Sequence, residues 1–103
     1  MADILNKEEF TVCINKDFQV MPQNGAAPIL KLTEVIEQFK TSRQEAFSVM
    51  FHGPAEQFLQ QGTYKLKNEQ LGEIDIFLVP VAQDRDGFQY EAAFNHLIPQ
   101  TQS

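Results

Sequence analysis

Two spacings of apolar residues divide the chain. Near its start Phe10, Cys13 and Ile14 recur at i, i+3 and i+4, which places them on one face of a helix. Asn6 and Glu9 precede that run at capping-box spacing. The Asn6 side chain can accept the Glu9 backbone N–H while the Glu9 side chain reaches back. Leu5 and Phe10 then fall at the two positions of a hydrophobic staple. A strand is the competing reading, and β-branched Thr11 and Val12 favour it. The capping signals predict a helix from Leu5 to Asn15 within an N-terminal segment 1–16, with Asn15 as its stop.

From Asp17 the period becomes two. Phe18 and Val20 share a face of a short strand over Asp17–Met21, and Pro22 to Pro28, with Asn24-Gly25, is a turn-rich loop. Leu30 and Leu32 open a second strand running to about Gln38, and the polar stretch Lys40 to Gln44 is a loop. Phe47, Val49 and Phe51 alternate up to His52-Gly53-Pro54, which breaks the strand. Ala55 to Gln61 reads as a helical turn or an ordered loop. Tyr64 and Leu66 mark a half-buried strand over Thr63–Lys67, and Asn68 to Gly72 turns. Ile74–Ala82 and Phe88–Leu97 form a hairpin about Asp84-Arg85-Asp86-Gly87, with a loop of about five residues. The predicted fold is mostly β: a small antiparallel barrel or sandwich of six to seven strands over 17–98. The helix plugs one end or side, and a polar tail follows over 99–103.

Charge narrows the partners. The 103 residues carry eight Lys and Arg against fourteen Asp and Glu, a net charge of −6. The basic residues are scattered, so nucleic acid and anionic membrane surfaces are poor partners. The longest apolar run, Ile76 to Ala82, is too short to span a bilayer, and the first residues lack the pattern of a signal peptide. A single cysteine, Cys13, forbids an internal disulfide and points to a reducing, cytoplasmic setting.

Candidate chemistry is sparse. Asp84-x-Asp86-Gly87 resembles the opening of a calcium loop but lacks its remaining ligands, and hairpin-turn chemistry accounts for it. His52 and His96 have no partners at metal-ligand spacing, and no metal or cofactor is expected. Cys13 lies on the apolar stripe as a structural thiol, Ser48 has no flanking elbow glycines, and the five glycines are isolated. No motif of an enzyme class is present.

Two features stand out. From Ile76 to Val81 the strand is apolar on both faces, so Phe77, Val79 and Val81 must meet the helix, the rest of this chain or another chain. Pro80 cannot donate to a ladder, which places it at an edge or a bulge. The second feature is Glu91, between Tyr90 and Ala92. A five-residue loop sets Ala82 opposite Phe88 and Val79 opposite Glu91, with Glu91 among Phe77, Val79 and Ala93. Tyr90, Ala92 and Phe94 then share the other face with Ile76 and Leu78. Lys65 or Arg43 is the expected partner of this carboxylate, which is either a structural acceptor tying a loop or a general acid–base.

The C-terminal two-thirds resembles a family of small bacterial proteins classed as a domain of unknown function. The resemblance rests on Phe47-Ser48, Phe51, Gly53-Pro54, Gln61-Gly62-Thr63-Tyr64, Leu71-Gly72, the run Ile76 to Val81, Tyr90-Glu91-Ala92 and Phe94-Asn95. Ala93 departs from a bulkier Val. The resemblance assigns no catalytic residue. It implies, through gene neighbours similar to phage tail-collar proteins, a part in a tail-like or fibre-like assembly. Pro80, Glu91 and Asn95 are the shared positions that packing explains least.

Three functions are therefore expected in descending order. The first is a non-enzymatic assembly or adaptor domain that docks a protein partner, or itself, through Phe77, Val79, Pro80 and Val81. The second is a barrel holding a small ligand against Tyr64, Tyr90 and Glu91, which requires a cavity there. The third is a hydrolase or isomerase in which a histidine lies within reach of Glu91.

Overall fold

The computed structural model describes residues 6–22 and 27–97. One short helix, α1 (Lys7–Thr11), precedes six strands. These are β1 (Asp17–Val20), β2 (Ile29–Lys40), β3 (Gln44–Pro54), β4 (Gly62–Asn68), β5 (Gly72–Asp84) and β6 (Gly87–Leu97). All pair antiparallel in the order β1-β2-β3-β6-β5-β4, and β4 returns to β1, so the sheet is a closed barrel rather than a sandwich.

The capping box forms as the sequence predicts. Asn6 Oδ1 accepts from Glu9 N at 2.8 Å and Glu9 Oε1 accepts from Asn6 N at 2.9 Å. The helix itself is shorter than Leu5–Asn15. It stops at Thr11, where the β-branched pair Thr11 and Val12 begins, and turns lead to Asn15 in the left-handed region at φ 72°. Asn15 N then donates to Leu32 O and Leu32 N to Lys16 O, which ties the turn to β2. Leu5 of the expected staple, Asn24-Gly25 and the tail from Pro99 lie outside the described residues. Ala55–Gln61 is a loop, not a helical turn.

Strand periodicity places the core. Phe18, Val20, Leu30, Leu32, Phe51 and Leu66 all point inward and are fully buried. Phe18 meets Phe51 edge-on, centroids 5.2 Å apart at 80°. Tyr90 completes the interior, its hydroxyl accepting from Leu59 N at 2.9 Å. Beside it β3 passes as Gly53, where an added Cβ would stand 2.6 Å from Leu30 Cδ2 and 3.2 Å from Tyr90 Cε2. Gly53 thus serves close packing rather than breaking the strand, which continues to Pro54.

The strands do not share one length. β5 pairs with β6 only from Val79↔Glu91 to Asp84↔Gly87, whereas β3 follows β6 along its whole course to Gln44↔Leu97. Beyond Leu32 and Glu91, β2, β3 and β6 therefore continue as a three-stranded extension of the barrel wall. α1 covers the inner face of that extension. Phe10 lies 6.0 Å from Phe47 and 5.2 Å from Phe94, and Phe47 stacks on Phe94 at 5.1 Å. The helix therefore covers the barrel on this side through Phe10 alone, while Cys13 and Ile14 of the expected stripe reach the core from the turn that follows it.

The β5–β6 hairpin is tighter than predicted. Arg85 and Asp86 alone separate Asp84 from Gly87, because Asp84 Oδ1 accepts from Asp86 N and Gly87 N, both at 2.9 Å. Two more pairs extend the ladder, and Gln83 rather than Ala82 opposes Phe88. Val79 nevertheless opposes Glu91, because a register shift between Pro80 and Ala82 absorbs the extra residue at Val81.

The outer face of β5 and β6 as candidate functional site

The alternation that buries Ile76 and Leu78 turns Phe77, Val79 and Val81 to the outside. Phe77 stays 50% exposed and Val81 47% exposed, so neither the helix nor the rest of the described chain covers them. Pro80 satisfies both geometric expectations. It lies beside the bulge, and β4 pairing ends at Gly62↔Leu78, which leaves that stretch of β5 without a β4 neighbour.

Glu91 belongs to the same outer face. Its cross-strand neighbours are Val79 on β5 and Met50 on β3. Its partner is neither Lys65, which pairs with Asp75 at 3.5 Å, nor Arg43. Ser48 Oγ donates to Glu91 Oε2 at 2.6 Å, and Gln38 Nε2 donates to Ser48 Oγ at 3.3 Å. Ser48 is 2% exposed, so the carboxylate and hydroxyl form a short bond within a largely apolar face. Glu91 is thus held by a side chain of the adjacent strand and not by a loop. Asn95, further along β6, accepts through Oδ1 from Gln44 Nε2 at 2.7 Å.

The two tyrosines do not join it. Tyr90 is buried inside the barrel, where desolvation raises the pKa of its phenol. Tyr64 packs against the core from β4 and donates its hydroxyl to Gln60 O at 2.7 Å. The expected pocket of Tyr64, Tyr90 and Glu91 is therefore not assembled, since inner and outer positions alternate along β6. A groove of about 720 Å³ lies instead on the outside of β1, β2 and β3, with Lys31, Thr33 and His52 in its wall.

Neither histidine hydrogen-bonds Glu91. His52 Nε2 lies 3.2 Å from both carboxylate oxygens of Asp84, and that contact, with the turn amides, holds Asp84 below the usual carboxylate range. Asp84 is therefore occupied by its own turn and by His52, and among the described residues no cluster of three His, Cys, Asp or Glu could hold a metal ion. His96 Nε2 lies 3.4 Å from Oε1 of Glu45, which is only 3% exposed. Among the described residues Glu45 Oε2 accepts no hydrogen bond, and Lys40 Nζ lies 3.9 Å from it. Cys13 is buried with Sγ 3.7 Å from Asn68 Oδ1, and desolvation pushes its thiol up against the opposing charge of Lys16. It packs within the hydrophobic core.

The sequence profile of one family, a domain of unknown function named DUF6916, matches residues 5–94. The chain belongs to the DUF6916 family. That match takes in α1 and β1 to β5 whole, and β6 as far as Phe94, so a DUF6916 domain here is the entire barrel with its plugging helix. No curated protein and no solved structure matches the chain. No helix among the described residues is long and apolar enough to cross a membrane.

Ser48 and Gln38 are the site residues that sequence reasoning missed. The signal was faint: Ala46, Ser48 and Met50, the outward positions of β3, carry no charge, which is unusual for a solvated face. Ile36, Phe39 and Leu97, exposed by 37%, 40% and 72%, extend the apolar outer face along the extension.

Proposed function

We propose that this DUF6916 domain is a non-enzymatic docking module whose outer face, centred on Phe77, Val79, Pro80 and Val81, meets another protein chain. The observation that carries this reading is the half-exposure of Phe77 and Val81 on a strand whose other face already completes the core. Scattered single apolar residues are ordinary on surfaces, but this group is contiguous and nearly free of charge, as the centres of protein interfaces are. The part-buried Ser48–Glu91 bond satisfies Oε2 of the one carboxylate on this face, and a partner that covers Glu91 would have to offer a donor to Oε1. A tail-like or fibre-like assembly, which the family resemblance implies, is a setting in which such a face would serve. The domain would work there in the cytoplasm.

A photo-crosslinking residue placed at 77 or 81 in cells tests the proposal. Discrete protein adducts are expected at both positions and none at the exposed control Glu73. Equal yields at all three positions would refute it. A ligand-binding reading has one observation in its favour, the outer groove beside Lys31 and His52. Saturable chemical-shift changes confined to that groove in a ligand screen would favour it instead.

A further inference from the structure

The extension has two strand edges that pair with nothing among the described residues. One is β2 beyond Leu32, where Asn15 and Lys16 stop occupying its edge. The other is β6 from Ala92 to Leu97, where β5 has already left. An unpaired edge is a row of backbone donors and acceptors ready to receive a strand, and folded proteins blunt such edges with charges and bulges.

The β2 edge carries both protections. Glu34, Glu37 and Lys40 lie along it, and register shifts interrupt it between Leu32 and Glu34 and between Glu37 and Phe39. The β6 edge carries neither. Its residues are Ala92, Ala93, Phe94, Asn95, His96 and Leu97, its pairing with β3 runs without a shift, and Leu97 is 72% exposed.

We propose that a second copy of this chain pairs with the β6 edge, antiparallel about a two-fold axis near Phe94. This rests on the docking reading and names its partner and its seam. Three observations select a second copy. First, a closed two-fold contact needs a segment that complements itself, and pairing centred on Phe94 keeps faces matched: Ala93 opposite Asn95 outside, Ala92 opposite His96 inside. Second, each chain carries a net charge of −6, so two copies can approach only where charge is lacking, and this edge holds no Asp, Glu, Lys or Arg. Third, Val79 already pairs with Glu91, so the ladder between copies runs from Ala92 to His96, and Leu97 of the second copy lies just past its end, beside Phe77 and Val79. The exposed apolar residues of the two copies then cover one another. The product is a six-stranded sheet, β2-β3-β6 of one copy continued by β6-β3-β2 of the other, with a barrel at each end.

The test is absolute mass by light scattering after gel filtration, across a dilution series. Wild-type protein should elute at twice the chain mass of 11.8 kDa. Ala93→Lys, an exposed position, should raise the dimer dissociation constant by roughly tenfold or more, because two added lysines face the seam. If Ala93→Lys misfolds, Asn95→Lys makes the same test. Glu37→Ala, on the guarded edge, should leave the mass doubled. A single chain mass for wild type at every concentration would overturn the proposal, as would a dimer that Glu37→Ala splits and the β6 variants do not. A monomeric wild type that still crosslinks another protein through positions 77 and 81 would overturn the self-pairing while sparing the docking reading.

Discussion

The closed barrel and the three-stranded extension are built from the same strands, yet they satisfy their backbone and their apolar faces differently. In the barrel each strand has two neighbours, and Phe18, Phe51 and Tyr90 fill an interior that needs nothing from outside. In the extension β3 is flanked on both sides while β2 and β6 are edges, and the inner face depends on one five-residue helix and the ring of Phe10. Closure therefore satisfies the backbone of the barrel strands and leaves the β6 edge from Ala92 to Leu97 unpaired among the described residues.

The sharpest way to break this contrast is to remove one ring from each region. Phe51→Ala, at the fully buried centre of the barrel, should cost about 3–5 kcal/mol of unfolding free energy in urea titration. Phe94→Ala, on the half-buried wall of the extension, should cost about 2 kcal/mol. Equal losses would mean that the extension's inner face is packed as tightly as the barrel interior with which it forms one continuous cluster.

A second comparison uses pH. Burial holds the Tyr90 phenol above its usual range, so the folded state keeps a proton that the unfolded chain releases first. The stabilisation is complete below the ordinary phenol pKa of about 10 and is lost as pH rises through the higher folded value. Tyr90→Phe should lose about 1–3 kcal/mol at neutral pH, because the buried Leu59 N–H is left without an acceptor. The variant should also show a flatter decline of stability in alkali. The buried Cys13 thiol, raised in the same direction, leaves part of the decline in place.

The smallest effect belongs to the outer face. Val81→Lys, at an exposed bulge, should change stability by no more than about 0.5 kcal/mol while weakening association. A large loss of stability would place Val81 in the core of the fold.

How far these regions were legible in the sequence follows from the range of the interactions. Phe18, Phe47 and Ile76 announce their burial through period-two spacing, and Asn6 with Glu9 announces the cap, because both signals are local. The bulge at Val81 left no local trace except Pro80, and two errors offset each other: a longer loop and a missed register shift gave the correct pairing of Val79 with Glu91. The partner of Glu91 was not legible at all. Ser48 lies 43 residues away and reaches it only through the pairing of β3 with β6. The free edge of β6 is likewise a property of topology, since nothing in Ala92–Leu97 itself shows that β5 parts from it.

Backbone amide hydrogen exchange, followed residue by residue at low and high protein concentration, tests the central claim most directly. Barrel amides in β1 and in β3 from Met50 to Gly53 should exchange slowly and equally at both concentrations. Amides of Ala92 to Leu97 that face the open edge should exchange fast when dilute and become protected when concentrated, with β2 beyond Leu32 unchanged. Protection of the β6 edge that is uniform and independent of concentration would contradict the account.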